Sequence, residues 1–320
     1  MESRVYGVVG VSSIMANFNA DFSGYPKVNS DNEVFGSDKA LKFPMKKLWQ
    51  QEGEKVLYIK SMILAQEAKN VVLKPKTLAE RYEELFEKLD DKSADSKKVL
   101  KNLFSAIDVK NFGATFAEKN NNIAITGAVQ FGQGFNKYEG HQAFEQPILS
   151  PFRDPKAKEK KGKDENGEET DARNSTIGTK ILSNEAHYFF PFSVNPSMYD
   201  DYVAMGDITE GYTEEDFAKL KKALLSATTA FSTNSKAGCD NEFLLLVKTE
   251  QNAYLPNLDG YIKFDKGTDQ NKITIVCDDM LNRLQEKIKS IEIYYNPYTT
   301  VLQHQIKGAQ IYNILTQSEV

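Results

Sequence analysis

Asn17-Phe18-Asn19-Ala20-Asp21-Phe22-Ser23-Gly24 is followed, after a short loop, by Gly36-Ser37-Asp38-Lys39-Ala40-Leu41-Lys42-Phe43-Pro44-Met45-Lys46-Lys47-Leu48-Trp49, and the fold is decided there. The apolar, β-branched run over residues 5–15 just before it predicts a buried strand, in which Gly7 and Gly10 allow a neighbouring backbone or a ligand to come close. The order is strand, polar loop, helix. Ser37 or Asp38 caps the helix; Lys39, Lys42 and Lys46 then rise on one face at i, i+3 and i+7, while Leu41, Met45 and Leu48 form the opposite apolar stripe. A helix start already favours anions through its unpaired N–H groups and dipole, so the lysines fit a phosphate-gripping face. A solvated charged face fits the same pattern.

Outward from this stretch, a strand is predicted over 55–63. Helices follow over 75–89 (Leu78, Tyr82, Leu85, Phe86 and Leu89 on one stripe) and 96–107. Strands over 112–118 and 122–131, joined by Lys119-Asn120-Asn121, read as a hairpin lying next to the first strand. Residues 213–231 read as an amphipathic helix capped by Thr213 with Asp216 three residues on. A strand over 242–248, a strand over 272–276, a helix over 278–290 and a last strand over 291–295 complete the chain. Strands alternating with helices in this way predict one elaborated α+β domain. Residues 135–173 stand apart: Lys156, Lys158, Lys160, Lys161 and Lys163 are answered directly by Asp164, Glu165, Glu168, Glu169 and Asp171. A mixed-charge loop of that length is mobile or functional. Gly24, Gly36, Gly127 and Gly178 are read as close-approach or positive-φ positions, with a plain turn as the alternative.

The 320 residues, 40% hydrophobic, suffice for a sizeable core, and no apolar run is long enough for a membrane span. With no cleavable signal pattern after Met1, a cytoplasmic location is expected. A net charge of −5 argues against indiscriminate coating of nucleic acid, yet within residues 37–49 four lysines oppose only Asp38. A local positive stripe on an acidic protein predicts docking confined to one surface. Cys239 and Cys277 have no metal-ligand spacing and read as unpaired. His141, His187 and His304 are scattered, no Gly-rich loop ends in Lys-Ser or Lys-Thr, Gly132-Gln133-Gly134 lacks a third glycine, and no nucleophile elbow is present. Nothing here calls for a metal, a cofactor or a catalytic residue.

Asn111-Phe112-Gly113-Ala114-Thr115-Phe116-Ala117 and residues 122–134, with Thr126-Gly127-Ala128-Val129-Gln130-Phe131-Gly132, resemble two strands of the CRISPR-associated backbone subunits, the Cas-seven family of the RAMP superfamily. The opening block resembles the same family. So do Asn174-Ser175-Thr176-Ile177-Gly178-Thr179-Lys180, His187-Tyr188-Phe189-Phe190-Pro191-Phe192 with Val194-Asn195-Pro196, and Phe231-Ser232-Thr233-Asn234-Ser235-Lys236-Ala237-Gly238 before Phe243-Leu244-Leu245-Leu246-Val247. The matches run in family order, and the likeness is greatest to the type I-B group.

The resemblance implies an α+β fold with a ferredoxin-like or RNA-recognition-motif-like core sheet in one domain over 1–320. It also implies a helical insertion at 56–110 and a thumb-like loop insertion at 135–187, whose tip at about 155–172 is expected to be disordered in the free protein. It implies a non-catalytic subunit that polymerises along the guide RNA of a type I Cascade surveillance complex. Its partners would be CRISPR guide RNA, the target DNA strand through guide pairing, copies of itself and other Cascade subunits, with no membrane. Asn17, Asn19, Ser37, Lys39, Lys42, Lys46, Gln130, Lys180 and Lys236 are the expected RNA contacts; Phe135, Tyr138 and Ile177 are the candidates for displacing bases. Such contacts are sequence-independent, the reading of sequence being left to base pairing. Reversing the charge of Lys42 and Lys46 together is expected to lower RNA retention and leave the fold intact. The alternatives are a RAMP-superfamily RNA nuclease, cutting target RNA with Asp21 or Asp31 or processing the guide with His304, and a scaffold that binds only protein.

Overall fold

The computed structural model describes residues 1–89, 95–149 and 176–320. The expected strand forms as β1 (Arg4–Ala16), and a short β2 (Phe35–Gly36) leads into α1 (Asp38–Gln51). A hairpin, β3 (Met62–Glu67) and β4 (Asn70–Pro75), precedes α2 (Leu78–Leu85), α3 (Ser96–Phe104) and α4 (Ile107–Phe112). Then come β5 (Gly113–Glu118), β6 (Asn121–Thr126), β7 (Val129–Phe131), β8 (Gly134–Asn136), β9 (Ala143–Leu149) and the 19-residue β10 (Thr176–Val194). The chain continues through α5 (Asp200–Ala204), α6 (Glu214–Ala230), β11 (Cys239–Thr249), β12 (Ile262–Asp265), β13 (Asn271–Ile275), α7 (Asp278–Arg283), β14 (Ile288–Tyr295), β15 (Thr300–Gln303) and β16 (Ala309–Asn313).

β1 lies at the centre of the main sheet, between β10 and β11, antiparallel to both. The order across the sheet is β16-β14-β11-β1-β10-β8-β2, with β7 and β9 also pairing along β10. Because both faces of β1 are covered over residues 7–13, its sequence over residues 5–11 is a run of apolar and glycine residues rather than an alternation. The alternation appears in the packing. Val5, Val9, Phe190, Phe192, Leu244 and Leu246 face the helices, whereas Val8, Phe189, Phe243, Leu245 and Val247 face a second layer that includes the β12-β13-β15 sheet. Gly7 is needed where it stands: a Cβ there would collide with the Phe192 ring and the Leu245 carbonyl.

On the helical face α1 and α6 lie side by side, joined where Trp49 Nε1 donates to the Lys219 carbonyl at 3.2 Å. The Thr213–Asp216 capping box forms as expected: Thr213 Oγ1 accepts from the Asp216 amide at 3.1 Å, and Asp216 Oδ2 accepts from the Thr213 amide at 2.8 Å.

Several expectations are corrected. Residues 55–61 are not a strand. Val56, Leu57 and Ile59 are buried with no paired strand among the described residues, and the amides of Leu57 and Tyr58 donate instead to the buried Asp108 carboxylate, each at 2.8 Å. The region 56–110 thus holds a β hairpin as well as helices. The β5–β6 hairpin does form, with Lys119 and Asn120 both at positive φ as a two-residue turn demands, but it makes a separate two-stranded sheet instead of lying beside β1. The run over 122–131 breaks at Gly127-Ala128, where Gly127 packs on the backbone of Phe112 and Gly113, and only β7 beyond the break reaches β10.

The helix over 75–89 is shorter, and that over 96–107 divides after Phe104. The helix over 278–290 stops at Arg283, a 3-10 turn follows, and β14 begins at Ile288 and is not the last strand. A side chain at Gly178 would meet nothing within 4 Å among the described residues, and its φ is not positive.

Candidate nucleic-acid interface

The polar loop is a braced scaffold. Ser37 caps α1, its Oγ accepting from the Ala40 amide at 3.3 Å, and its own amide donates to Asn19 Oδ1 at 2.7 Å. Asn17, buried, sends its Nδ2 to the carbonyls of Gly24 at 2.9 Å and Ile181 at 3.2 Å, which ties the loop to β10. The Asn17 carbonyl accepts from Lys236 Nζ at 3.2 Å, and that ammonium stands 5.0 Å from the centroid of the Phe18 ring. Burial pushes the Lys236 pKa below the ordinary lysine value. Asn17, Asn19, Ser37 and Lys236 are therefore brought together. Asp21 closes the loop: the Ser23 hydroxyl donates to it at 2.7 Å, and the Ser23 and Tyr25 amides donate at 2.8 and 3.0 Å. The Ser23 hydroxyl is the main cause holding the Asp21 carboxyl below its usual value. Phe22, between them, is fully exposed.

The three lysines of α1 differ. Lys39 is exposed and makes no ion pair among the described residues. Lys42 pairs with Asp38 at 2.8 Å and lies 5.1 Å from the Phe112 ring centroid and 5.8 Å from that of Phe131. Lys46 is largely buried: its Nζ donates to the Tyr58 carbonyl at 3.0 Å and stands 3.5 Å from Asp108, with the side chain 15% exposed. Burial lowers its pKa against the opposing pull of Asp108. All three line a cleft of about 780 Å³ between α1 and β5, with Tyr58 and Phe112 also in its wall. Cations over aromatic rings suit a polyanion that carries planar groups.

The remaining residues are dispersed. Gln130 is exposed on β7 and donates to the Gly127 carbonyl at 2.8 Å; Lys180 on β10 donates to Asn234 Oδ1 at 3.2 Å. Phe135 on β8 is partly exposed, its ring 6.0 Å from that of Phe35. Tyr138 packs edge-on against His187 at 6.2 Å and Phe264 at 6.5 Å, with the cluster on the face of the sheet away from α1. Ile177 belongs to β10, but its side chain lies outside the described residues, as do residues 155–172. Sequence reasoning missed Tyr58, Asp108 and the exposed Phe22. Phe22 has a signal, an aromatic amid Asp, Ser and Gly in a polar loop. Asp108 has none, because its partners lie about 50 positions away.

His141 Nε2 lies 3.0 Å from Ser183 Oγ, and His304 Nδ1 accepts from the Ile306 amide at 3.1 Å. His187 is caged between carboxylates. Among the described residues no group of three or more His, Cys, Asp or Glu side chains is arranged to hold a metal ion, and no helix is long and apolar enough to cross a membrane.

Among the curated proteins none matches this sequence. Two solved structures similar in shape are a "CRISPR RNA-guided surveillance complex, pre-nicking" chain and a "CRISPR RNA-guided surveillance complex" chain. The first is 13% identical with a TM-score of 0.54, covering 97% of this chain and 96% of its own. The second is 13% identical with a TM-score of 0.44, covering 98% and 93%. The fold likeness rests on the first. A family model described as CRISPR-associated protein Cas7 matches residues 3–283, and the chain belongs to that family.

Proposed function

We propose that the chain is a guide-RNA-binding backbone subunit that lines up in several copies along a CRISPR RNA within a type I surveillance complex, of the I-B group. The observation that carries this reading is the Lys39–Lys42 cleft at the capped start of α1, on a chain that the Cas7 family model matches over residues 3–283. Lys39 and Lys42 hold the phosphates there, while Ser37, Asn19 and Asn17 fix the loop that positions them. Lys46, committed to Asp108, sets the cleft's shape and charge. Gln130, Lys180 and Lys236 extend the contact surface, and Phe135 and Ile177 act on the bases; Tyr138, packed on His187 and Phe264 on the other face, serves the fold instead. Contacts of this kind take any sequence, so target DNA is selected by pairing with the guide.

A ferredoxin-like, RNA-recognition-motif-like core is supported by the sheet order β11-β1-β10-β8, antiparallel throughout, with α1 after β1 and α6 before β11. Residues 56–110 then form the insertion beside it, and the thumb lies within residues 135–187, whose two ends, Phe135 and Asn136 on β8 and residues 183–187 on β10, pair in the core sheet itself. We read the subunit as non-catalytic. Asp21, the nuclease candidate, spends its carboxylate on the Ser23 and Tyr25 groups of its own loop.

The test is to express the chain with its neighbouring genes and a CRISPR array, then purify the particle and sequence its RNA. Spacer-containing RNA of uniform length in a multi-copy particle is expected; a monomer free of nucleic acid overturns the reading.

A further inference from the structure

Beside the lysine cleft lies a second cavity, of about 170 Å³, walled by Phe18, Phe43 and Phe231 with Ala40 and Pro44 of α1. Phe43 lines both cavities and its ring is partly exposed, set edge-on to Phe231 at 5.3 Å. The walls are apolar, but polar groups of α6 and of the loop before β11 stand among them. Thr228 is 4% exposed, lines this cavity, and its Oγ1 has no hydrogen-bond partner among the described residues.

The cause is local. A helical threonine ordinarily turns its hydroxyl to the carbonyl four residues back. Here Asn241 reaches into the end of α6, its Nδ2 donating to the Leu224 carbonyl at 2.8 Å and its Oδ1 accepting from the Thr228 amide at 2.9 Å. The hydroxyl is displaced from its usual acceptor. On the opposite wall Pro44 has no N–H, so the Ala40 carbonyl receives no helical amide from it. Lys236 adds an ammonium whose one hydrogen bond among the described residues goes to the Asn17 carbonyl.

The cavity is too small for a whole nucleotide or a drug-sized ligand. It offers aromatic walls, a donor-acceptor hydroxyl and an ammonium donor. Those are the groups that recognise the edge of a single planar heterocycle splayed from a strand. We propose that this cavity receives one nucleobase of the bound RNA, whose phosphates lie on Lys39 and Lys42 across Phe43. The inference rests on the RNA-binding reading above and adds a base-binding site to it.

The experiment photo-crosslinks the purified full chain to a single-stranded RNA carrying 4-thiouridine and maps the cross-linked peptides. Ala40→Leu, which fills the cavity, and Thr228→Val, which keeps its shape and removes the hydroxyl, are compared with the parent after equal melting temperatures have been verified. Cross-links at Phe43 and Phe231 are expected, abolished in Ala40→Leu with about tenfold weaker RNA binding, and binding about threefold weaker in Thr228→Val. RNA bound tightly with cross-links on the lysine peptides alone, or undiminished in Ala40→Leu, overturns the pocket and leaves the functional reading standing. No RNA binding by the parent chain overturns both. Ala40→Leu abolishing self-association while RNA affinity per chain is unchanged assigns the cavity to a protein side chain and also overturns the proposal.

Discussion

The lysine cleft on α1 and the His187 cage on the other face of the sheet are built from the same materials, cations beside aromatic rings and carboxylates, and end in opposite states. In the cage His187, 1% exposed, has Nδ1 at 2.8 and 2.9 Å from the two Glu242 oxygens and Nε2 at 2.9 Å from Glu185 Oε1. Donation from both ring nitrogens requires the imidazolium. Lys266 adds a second cation at 2.7 Å from Glu185, and Phe264 stacks on the imidazole with centroids 3.8 Å apart. Two cations meet two anions, and no charge is left over. In the cleft, three lysines meet Asp38 and Asp108, and Lys39 remains open to solvent. Charge that the fold satisfies internally holds layers together; charge that it leaves unanswered is available to a ligand.

The comparison is broken most forcibly at the cage. His187→Ala leaves Glu242 and Glu185 buried against a cavity, so unfolding in urea should show a loss of about 3–5 kcal/mol, with RNA affinity per folded chain unchanged. A loss below about 1 kcal/mol would mean that the cage is not a lock. In the cleft the effects should reverse. Lys39→Glu with Lys42→Glu should weaken RNA binding by about 10- to 100-fold while shifting the melting temperature little; unchanged binding would return this helix face to plain solvation. Lys46 does not belong in that variant, because a glutamate there would face Asp108, so the fold is not expected to survive the Lys42–Lys46 reversal intact.

The pH dependence sharpens the contrast. Burial works to lower the His187 pKa, but the Glu242 and Glu185 carboxylates together outweigh it and hold it above its ordinary 6.5. Its contribution is thus fully present below 6.5 and lost as the pH rises through the raised folded value. Glu185 is lowered from 4.5: burial works the other way, and His187 and Lys266 outweigh it. Its contribution is present above 4.5 and lost as the pH falls through the depressed value. The stability difference between the parent and His187→Gln should therefore be greatest between pH 4.5 and 6.5 and shrink on the alkaline side; a flat difference from about pH 5 to 9 would contradict the imidazolium. The smallest effect belongs to neither region. Thr213→Ala, which removes the α6 cap, should cost about 1 kcal/mol in thermal unfolding with no change in RNA binding.

What can be read from the sequence follows how far apart the interacting residues lie. The capping box of α6 joins Thr213 to Asp216, and the lysine spacing of α1 is set by one helix, so both are visible in it. The buried strand β1 announces itself by the run of apolar and glycine residues over residues 5–11. The strand expected over 55–63 has strand-like composition, but its amides go to Asp108, a pairing no local pattern carries. The β5–β6 hairpin has the expected turn and a different neighbour for the same reason. Within the candidate interface, helix periodicity puts Lys39, Lys42 and Lys46 on one face and Asp38 four residues before Lys42, yet the arrival of Asp108 from α4, which engages Lys46, is written in no local pattern.

The most direct measurement is the binding constant of single-stranded RNA to the parent chain and to Lys39→Ala with Lys42→Ala, across a range of salt concentrations. Removing two lysine–phosphate pairings to a single strand should reduce the slope of log K against log salt by about 1.4, with affinity falling most at low salt. Equal slopes for the two proteins would place the phosphates elsewhere and contradict the assignment of this cleft.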